Sequence, residues 1–262
     1  MRVILHADDF GASRDTVRAT IECLERGALT SASIMPGMPA TAEAIGFAQT
    51  HPGLDFGVHL TFVGDKNERP LSRPSDISAL VARGGGFRST RELRLRSLLN
   101  LLPVAQIEQE LTRQMEAVAA EGVEITHVDS HRHMHKFPSF RKALERALPQ
   151  FGIRRVRAVQ DVYLRRPLAS PTYWLGPRWQ LRLARCFVTT DHLYMPTSTR
   201  DVGWERPLLA ALTRLRGATL EVGVHPGYDG WRDGERRSLA AFAALAGDAG
   251  LELVGWKDLE RP

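Results

Sequence analysis

Between Thr126 and His135 the chain reads Thr-His-Val-Asp-Ser-His-Arg-His-Met-His. Four histidines and an aspartate thus fall within ten residues, directly after the short run Val123 to Val128. Histidine is the commonest metal ligand among side chains and the group that titrates near neutral pH. In an extended segment His127, Asp129, His131, His133 and His135 would all point to one face. A core-facing strand does not accept that many polar rings, so the pattern predicts a cleft, a metal or water on that side. The plainer alternative is a histidine-rich surface loop.

Three other places carry polar residues where a short apolar run ends. Asp8-Asp9-Phe10-Gly11 follows Val3, Ile4 and Leu5. Two adjacent carboxylates are costly unless something positive lies beside them. A helix-capping turn is the ordinary explanation, but Ser13 and Asp15 are better placed for that work. His59 closes Leu54 to Thr61, and His225 closes Leu220 to Tyr228. A lone histidine on a strand is commonly a satisfied core residue; the shared position at strand ends is what singles these two out.

The elements that must position them alternate. Arg2–Ala7, Leu29–Met35, Leu54–Thr61, Val123–Val128 continuing through the histidines, Ile153–Val159, Leu220–Tyr228 and Leu251–Gly255 read as strands. Helices are expected from about Ser13 to Gly27, over Ala40–Thr50, Leu93–Leu102, Ala105–Glu121, Ser139–Leu148, Pro207–Arg216 and Ser238–Ala249. Gly64 to Ser89 is a long irregular connection of the kind that often forms a lid or binding segment. Residues 160–205, with Tyr173, Trp174, Trp179 and Tyr194 among prolines and arginines, read as an insertion that packs on the body or shapes a cleft. Alternation of this kind predicts an α/β fold with mainly parallel strands, a sheet or a barrel. A single domain over residues 1–262 is expected, since no repeat or separating linker is visible. A barrel gathers its strand ends at one mouth, where ligands bind.

Composition narrows the function classes. Of 262 residues, 43% are hydrophobic and 25% charged, ordinary for a globular protein with a sizeable core. Net charge is +5, but no binding motif or basic–aromatic interleaving accompanies it, so nucleic acid is not expected as a partner. Two distant cysteines, Cys23 and Cys186, support neither a disulfide framework nor a thiolate zinc site. No apolar run reaches the roughly 20 residues that span a bilayer. The N-terminus turns acidic before a signal peptide could form, and a cytoplasmic location is expected.

One carboxylate and two imidazoles with open positions make a hydrolytic metal site; a second carboxylate could be a general base and a further histidine an acid. The segments HADDFG, LTSASIMPGMP, GVHL, THVDSHRHMHKFP and LEVGVHPGY resemble, in order and spacing, the YdjC-like carbohydrate deacetylases, which include the chitooligosaccharide deacetylases. The likeness covers nearly the whole chain and is weakest over residues 160–205. It implies a distorted (β/α) barrel that removes acetyl from an N-acetylated sugar with one divalent metal ion. It further implies Asp9, His59 and His131 as metal ligands, Asp8 as the base that activates water at the metal, and His225 as the acid for the departing amine. Asp129, His133 and His135 match the motif without a role that carries over; orienting the ligands is the physical expectation. Arg155 or Arg157 is expected near the acetyl oxyanion or the base. Mixed nitrogen and oxygen ligation suits Zn2+, whereas Mg2+ is commonly assigned in the family, and both stay open. Family precedent implies a small homo-oligomer such as a dimer. The alternatives are another metal-dependent barrel hydrolase, such as a phosphoesterase, or a non-catalytic carbohydrate-binding relative.

Overall fold

A computed structural model describes residues 1–65, 68–196 and 203–259. Its elements are β1 (Arg2–Phe10), α1 (Arg14–Glu25), β2 (Ser31–Ile34), α2 (Thr41–Thr50), β3 (Asp55–Leu60), α3 (Thr90–Leu98), α4 (Val104–Ala119) and β4 (Ile125–Ser130). After a 3₁₀ turn over His131–Lys136 come α5 (Pro138–Ala147), α6 (Pro171–Cys186), β5 (His192–Tyr194), α7 (Glu205–Leu212), β6 (Thr219–Val224), α8 (Trp231–Ala246) and β7 (Glu252–Leu253).

The strands pair in parallel in the order β4-β3-β2-β1-β6-β5, with β7 added beside the start of β1. Isolated parallel bridges join Val128 to Val156, Arg155 to Val188 and Val162 to Tyr194. They carry the curl round from β4 towards β5, giving the distorted α/β barrel expected from the alternation. All the strands run the same way, so their C-terminal ends meet at one mouth.

Alternation along each strand divides two environments. Val3, Leu5 and Ala7 of β1, Ala32 and Ile34 of β2, Phe56, Val58 and Leu60 of β3, and Val222 and Val224 of β6 join the large core beneath the helices. The opposite rows carry His6 and Asp8, Ser31 and Ser33, Gly57 and His59, His127 and Asp129, and Glu221, all buried where they are polar. The barrel interior is therefore polar, closed below by Trp256, which packs on Ile4 and stacks on His127 with centroids 4.7 Å apart. Gly57 is required there: a Cβ would stand 2.5 Å from His127 Nε2.

The helices follow local rules. Ser13 and Thr16 form a reciprocal cap at the start of α1, and Gly27 at φ 68 lets the chain turn away at its end. On α4, Ile107, Leu111, Met115 and Val118 form the buried stripe. Ser89 accepts the Glu92 amide and fixes the start of α3 at Thr90, ahead of the expected Leu93.

Four expectations are corrected. The segment from His127 to His135 is not one extended run: β4 stops at Ser130, and Arg132 (φ 57) and His133 (φ 53) sit in the left-handed region. Ile153–Val159 pairs only through isolated bridges, one to Val128 of β4 and one to Val188, which lies outside any strand. Residues 160–205 are more regular than their composition suggests, with α6 and the short strand β5 at the end of the sheet, although Pro177 lies inside the helix; residues 197–202 of that stretch fall outside the described residues. Helix α8 begins at Trp231, ahead of the expected Ser238, despite Gly234 in its first turns. No helix among the described residues is long and apolar enough to cross a membrane.

Candidate active site

The pairing of β1 with β2 runs Ala7 to Ala32 and then Phe10 to Ile34, so β1 carries one extra residue at Asp8-Asp9. In a regular strand these two carboxylates would face opposite sides. The bulge, with Asp9 at φ 59, turns both inward. A left-handed aspartate is tolerable but strained, and such strain gathers at functional sites.

Asp9 Oδ1 lies 3.4 Å from His59 Nε2 and 3.2 Å from His131 Nδ1. One donor atom from each of the three residues falls within 4.8 Å of the others, a group able to hold a metal ion. Asp9 Oδ1 and His59 Nε2 are buried and find no hydrogen-bond partner among the described residues. Buried polar atoms left this way ask for an occupant. Donors about 2.1 Å from a shared ion stand roughly 3.0–3.4 Å apart at octahedral to tetrahedral angles, and the two distances from Asp9 to the histidines fall in that range.

Charge around the three is balanced by neighbours. His59 Nδ1 donates to Asp129 Oδ1 at 2.9 Å, which fixes the ring and leaves Nε2 facing Asp9. Burial opposes its imidazolium, but Asp129, Asp8 and Asp9 together push it up to about 9. Burial would raise Asp9, yet His131, His225 and His59 hold it well below the usual carboxylate range. His131 turns its Nε2 towards Glu68 Oε1, 3.8 Å away.

Asp8 faces a different partner. Arg157, fully buried, donates to Asp8 Oδ1 at 2.6 Å and to Oδ2 at 2.8 Å. The same guanidinium reaches Glu221 Oε1 at 2.8 Å and Asp129 Oδ2 at 2.7 Å. Against burial, this charge lowers Asp8 and keeps it ionised. His6, Asp8 and Asp129 are also close enough together to suggest a second metal group, but Arg157 already supplies the cation there. Both His6 nitrogens are engaged as well, by Ser31 and Ser33.

His225 Nε2 stands 3.8 Å from Asp8 Oδ2, and its Nδ1 lies 3.2 Å from Glu235 Oε2. Burial works against its imidazolium, but Glu235 first, then Asp8 and Asp9, raise it above the ordinary histidine value. Asp9, His131 and His225 open together onto a cleft of about 750 Å³, lined also by Glu68, Trp231 and Arg232. Trp231 is 39% exposed there, and its ring lies edge-on to His225 with centroids 5.4 Å apart.

Of the sequence-derived candidates, Asp8, Asp9, His59, His131 and His225 converge, with Asp129 beneath them. His133 and His135 do not: the left-handed turn carries them past the mouth. His135 bonds Ser130 Oγ, and burial pushes it down to about 3; burial likewise keeps His133 neutral. Arg155 is not brought to the group either: its guanidinium donates to the Leu259 and Lys257 carbonyls, and it lines a separate cavity of about 380 Å³. Its alternative, Arg157, faces inward two residues later and meets Asp8. Glu221, Glu235, Glu68 and Arg232 were not anticipated. Glu221 had a signal, a charge in the middle of an otherwise apolar alternating strand; the others sit on a loop and a helix start where charges are ordinary.

The profile of the YdjC-like protein family matches residues 2–249. A carbohydrate deacetylase of Thermoanaerobacter pseudethanolicus is 37% identical over 86% of this chain and 81% of its own length. One from Geobacillus stearothermophilus is 31% identical over 86% and 79%. With the carbohydrate deacetylase of Brevibacillus brevis the match is 34% identical, over 53% of this chain and about half (52%) of that protein. In fold, a crystal structure from Enterococcus faecalis V583, provisionally described as a cellobiose-phosphate cleavage protein, superposes with a TM-score of 0.78 at 20% identity. It covers 98% of this chain and 97% of its own.

Proposed function

The chain belongs to the YdjC-like protein family, and from that membership we propose that it is a carbohydrate deacetylase, a hydrolase that removes acetyl from an N-acetylated sugar with the help of one divalent ion. The observation that carries the metal reading is the convergence of Asp9 Oδ1, His59 Nε2 and His131 Nδ1, the first two buried and without hydrogen-bond partners. Relatives named carbohydrate deacetylases support the reaction class. Short N-acetylglucosamine oligomers are the proposed substrate.

Asp9, His59 and His131 would hold the ion, with Asp129 orienting His59. A bound Zn2+ or Mg2+ supplies Lewis acidity at the amide carbonyl and lowers the pKa of water beside it, towards about 7 for zinc. Every other task falls to side chains. Asp8, held ionised by Arg157, accepts the proton of the attacking water. Such a well-paired carboxylate keeps a proton only briefly; once His225 has given its own proton to the amine, its free Nε2, 3.8 Å from Asp8 Oδ2, is the neighbouring site to which it can pass. Glu235 favours the protonated form of His225, which donates to the amine nitrogen as the C–N bond breaks. Acetate and a free amine leave. Trp231 offers an exposed aromatic face to a sugar ring beside the acid.

Asp8→Asn and His225→Ala test the assignment. Each should cut kcat for acetate release by about 10²–10⁴-fold, the usual worth of a general base or acid, while calorimetry still detects metal. Variants that lose metal together with activity, or that keep full activity, would remove Asp8 and His225 from these roles.

A further inference from the structure

Arg232 has no part in the chemistry above, yet it touches the centre of it. Its Nη2 donates to Asp9 Oδ2 at 2.6 Å, the oxygen on the other side of the carboxylate from the two histidines. The guanidinium also lies over the Trp231 ring, 4.8 Å from its centroid. Its stem runs against Gly227, where a Cβ would come within 2.9 Å of both Cβ and Cδ of Arg232. The side chain is only 17% exposed. Backbone, ring and carboxylate therefore fix a positive charge on the residue that the metal reading makes a ligand.

A buried carboxylate with no counter-charge is destabilising, and a cation beside it removes that cost. The same cation repels any dication that arrives. It also occupies Oδ2, leaving Oδ1 alone to face His59 and His131. We propose that Arg232 is a standing counter-charge for Asp9: it stabilises the metal-free site, restricts Asp9 to one ligand oxygen and sets the affinity for the divalent ion below what the three ligands would otherwise give. The proposal rests on the metal reading of Asp9, His59 and His131. It carries a sign that a merely supporting role would not have. A residue that only props up a ligand weakens metal binding when removed; a competing charge tightens it.

The test is a Co2+ titration of metal-stripped protein, followed by visible absorption and calorimetry, on the wild type, Arg232→Gln and Arg232→Lys. Arg232→Gln should bind Co2+ about tenfold tighter or more, as expected for deleting one nearby charge, and Arg232→Lys should stay near the wild type. Thermal melts should show Arg232→Gln less stable than the wild type without Co2+ and gaining more from its addition, because tighter binding to the folded state shifts Tm further. An Arg232→Gln protein that folds only with Co2+ present is the same result in stronger form. Equal or weaker Co2+ affinity in Arg232→Gln overturns the proposal, as does a tenfold change in Arg232→Lys. If neither the wild type nor any variant binds Co2+, the metal reading itself fails, and this proposal with it.

Discussion

On the proposed metal reading, Asp9 and His59 form a pair in which a proton and a divalent cation would compete for one nitrogen. Without metal, carboxylates on three sides push the His59 imidazole from an ordinary 6.5 up to about 9. A raised value means that the stability from its protonation is complete below about 6.5 and is lost as pH rises towards about 9. A metal held by Nε2 would have to displace that proton. Affinity should therefore climb with pH up to about 9, by roughly tenfold per unit, and binding at pH 7.5 should release about one proton. Calorimetry in buffers of different ionisation enthalpy reads both quantities; an affinity flat from pH 6 to 9 would contradict the assignment of His59. The same logic applies to Asp129, which holds His59 by Nδ1 at 2.9 Å. Asp129→Asn should weaken metal binding by about 10–100-fold, the usual effect of losing a ligand's orienting partner, and unchanged binding would show that His59 needs no such support.

At the scale of elements, the inner rows of the barrel explain which parts of the site can be read from sequence. Strand ends at Asp8-Asp9, His59, Asp129-Ser130-His131 and His225 stand out because polar residues follow short apolar runs, and parallel strands bring such ends together. Asp9 facing inward is not legible, since alternation alone would send it away from Asp8; the one-residue bulge decides it. His133 and His135 mislead for the converse reason: two left-handed residues end the alternation that the pattern assumes. Arg155 and Arg157 share a face in any extended reading, and only their partners tell them apart: Arg155 meets the Leu259 and Lys257 carbonyls, Arg157 meets Asp8 and Glu221. Helix α6 hides behind Gly176 and Pro177, poor helix formers, and is held by buried Trp179 and Leu183. The interior packing itself is testable at Gly57. Gly57→Ala drives a methyl into His127, which is stacked against Trp256 and cannot retreat. Overpacking of this kind costs about 1–3 kcal/mol, a fall in Tm of several degrees by thermal denaturation, and adding His127→Ala should recover part of it. A Gly57→Ala protein as stable as the wild type would mean the inner row is loosely packed.

At the scale of the whole molecule, the buried charges around the candidate site are arranged in depth. Arg157 ties β1, β4 and β6 together from the inside through Asp8, Asp129 and Glu221, so one buried cation joins the barrel wall to the candidate site. Above it lies the Asp9–His59–His131 group, and above that the cleft of about 750 Å³ with Trp231 and His225 at its side. That order, from buried counter-charge to ligand group to open cleft, suits a small polar substrate entering from the strand ends. The most direct test of the account is acetate release from N-acetylglucosamine oligomers by metal-stripped protein refilled with one equivalent of Zn2+ or Mg2+. Release should follow metal occupancy, with free amine appearing in equal amount, and should vanish in Asp9→Asn and His59→Ala. Release that persists after complete metal removal, or its absence from fully loaded wild type, would contradict a metal-dependent deacetylase.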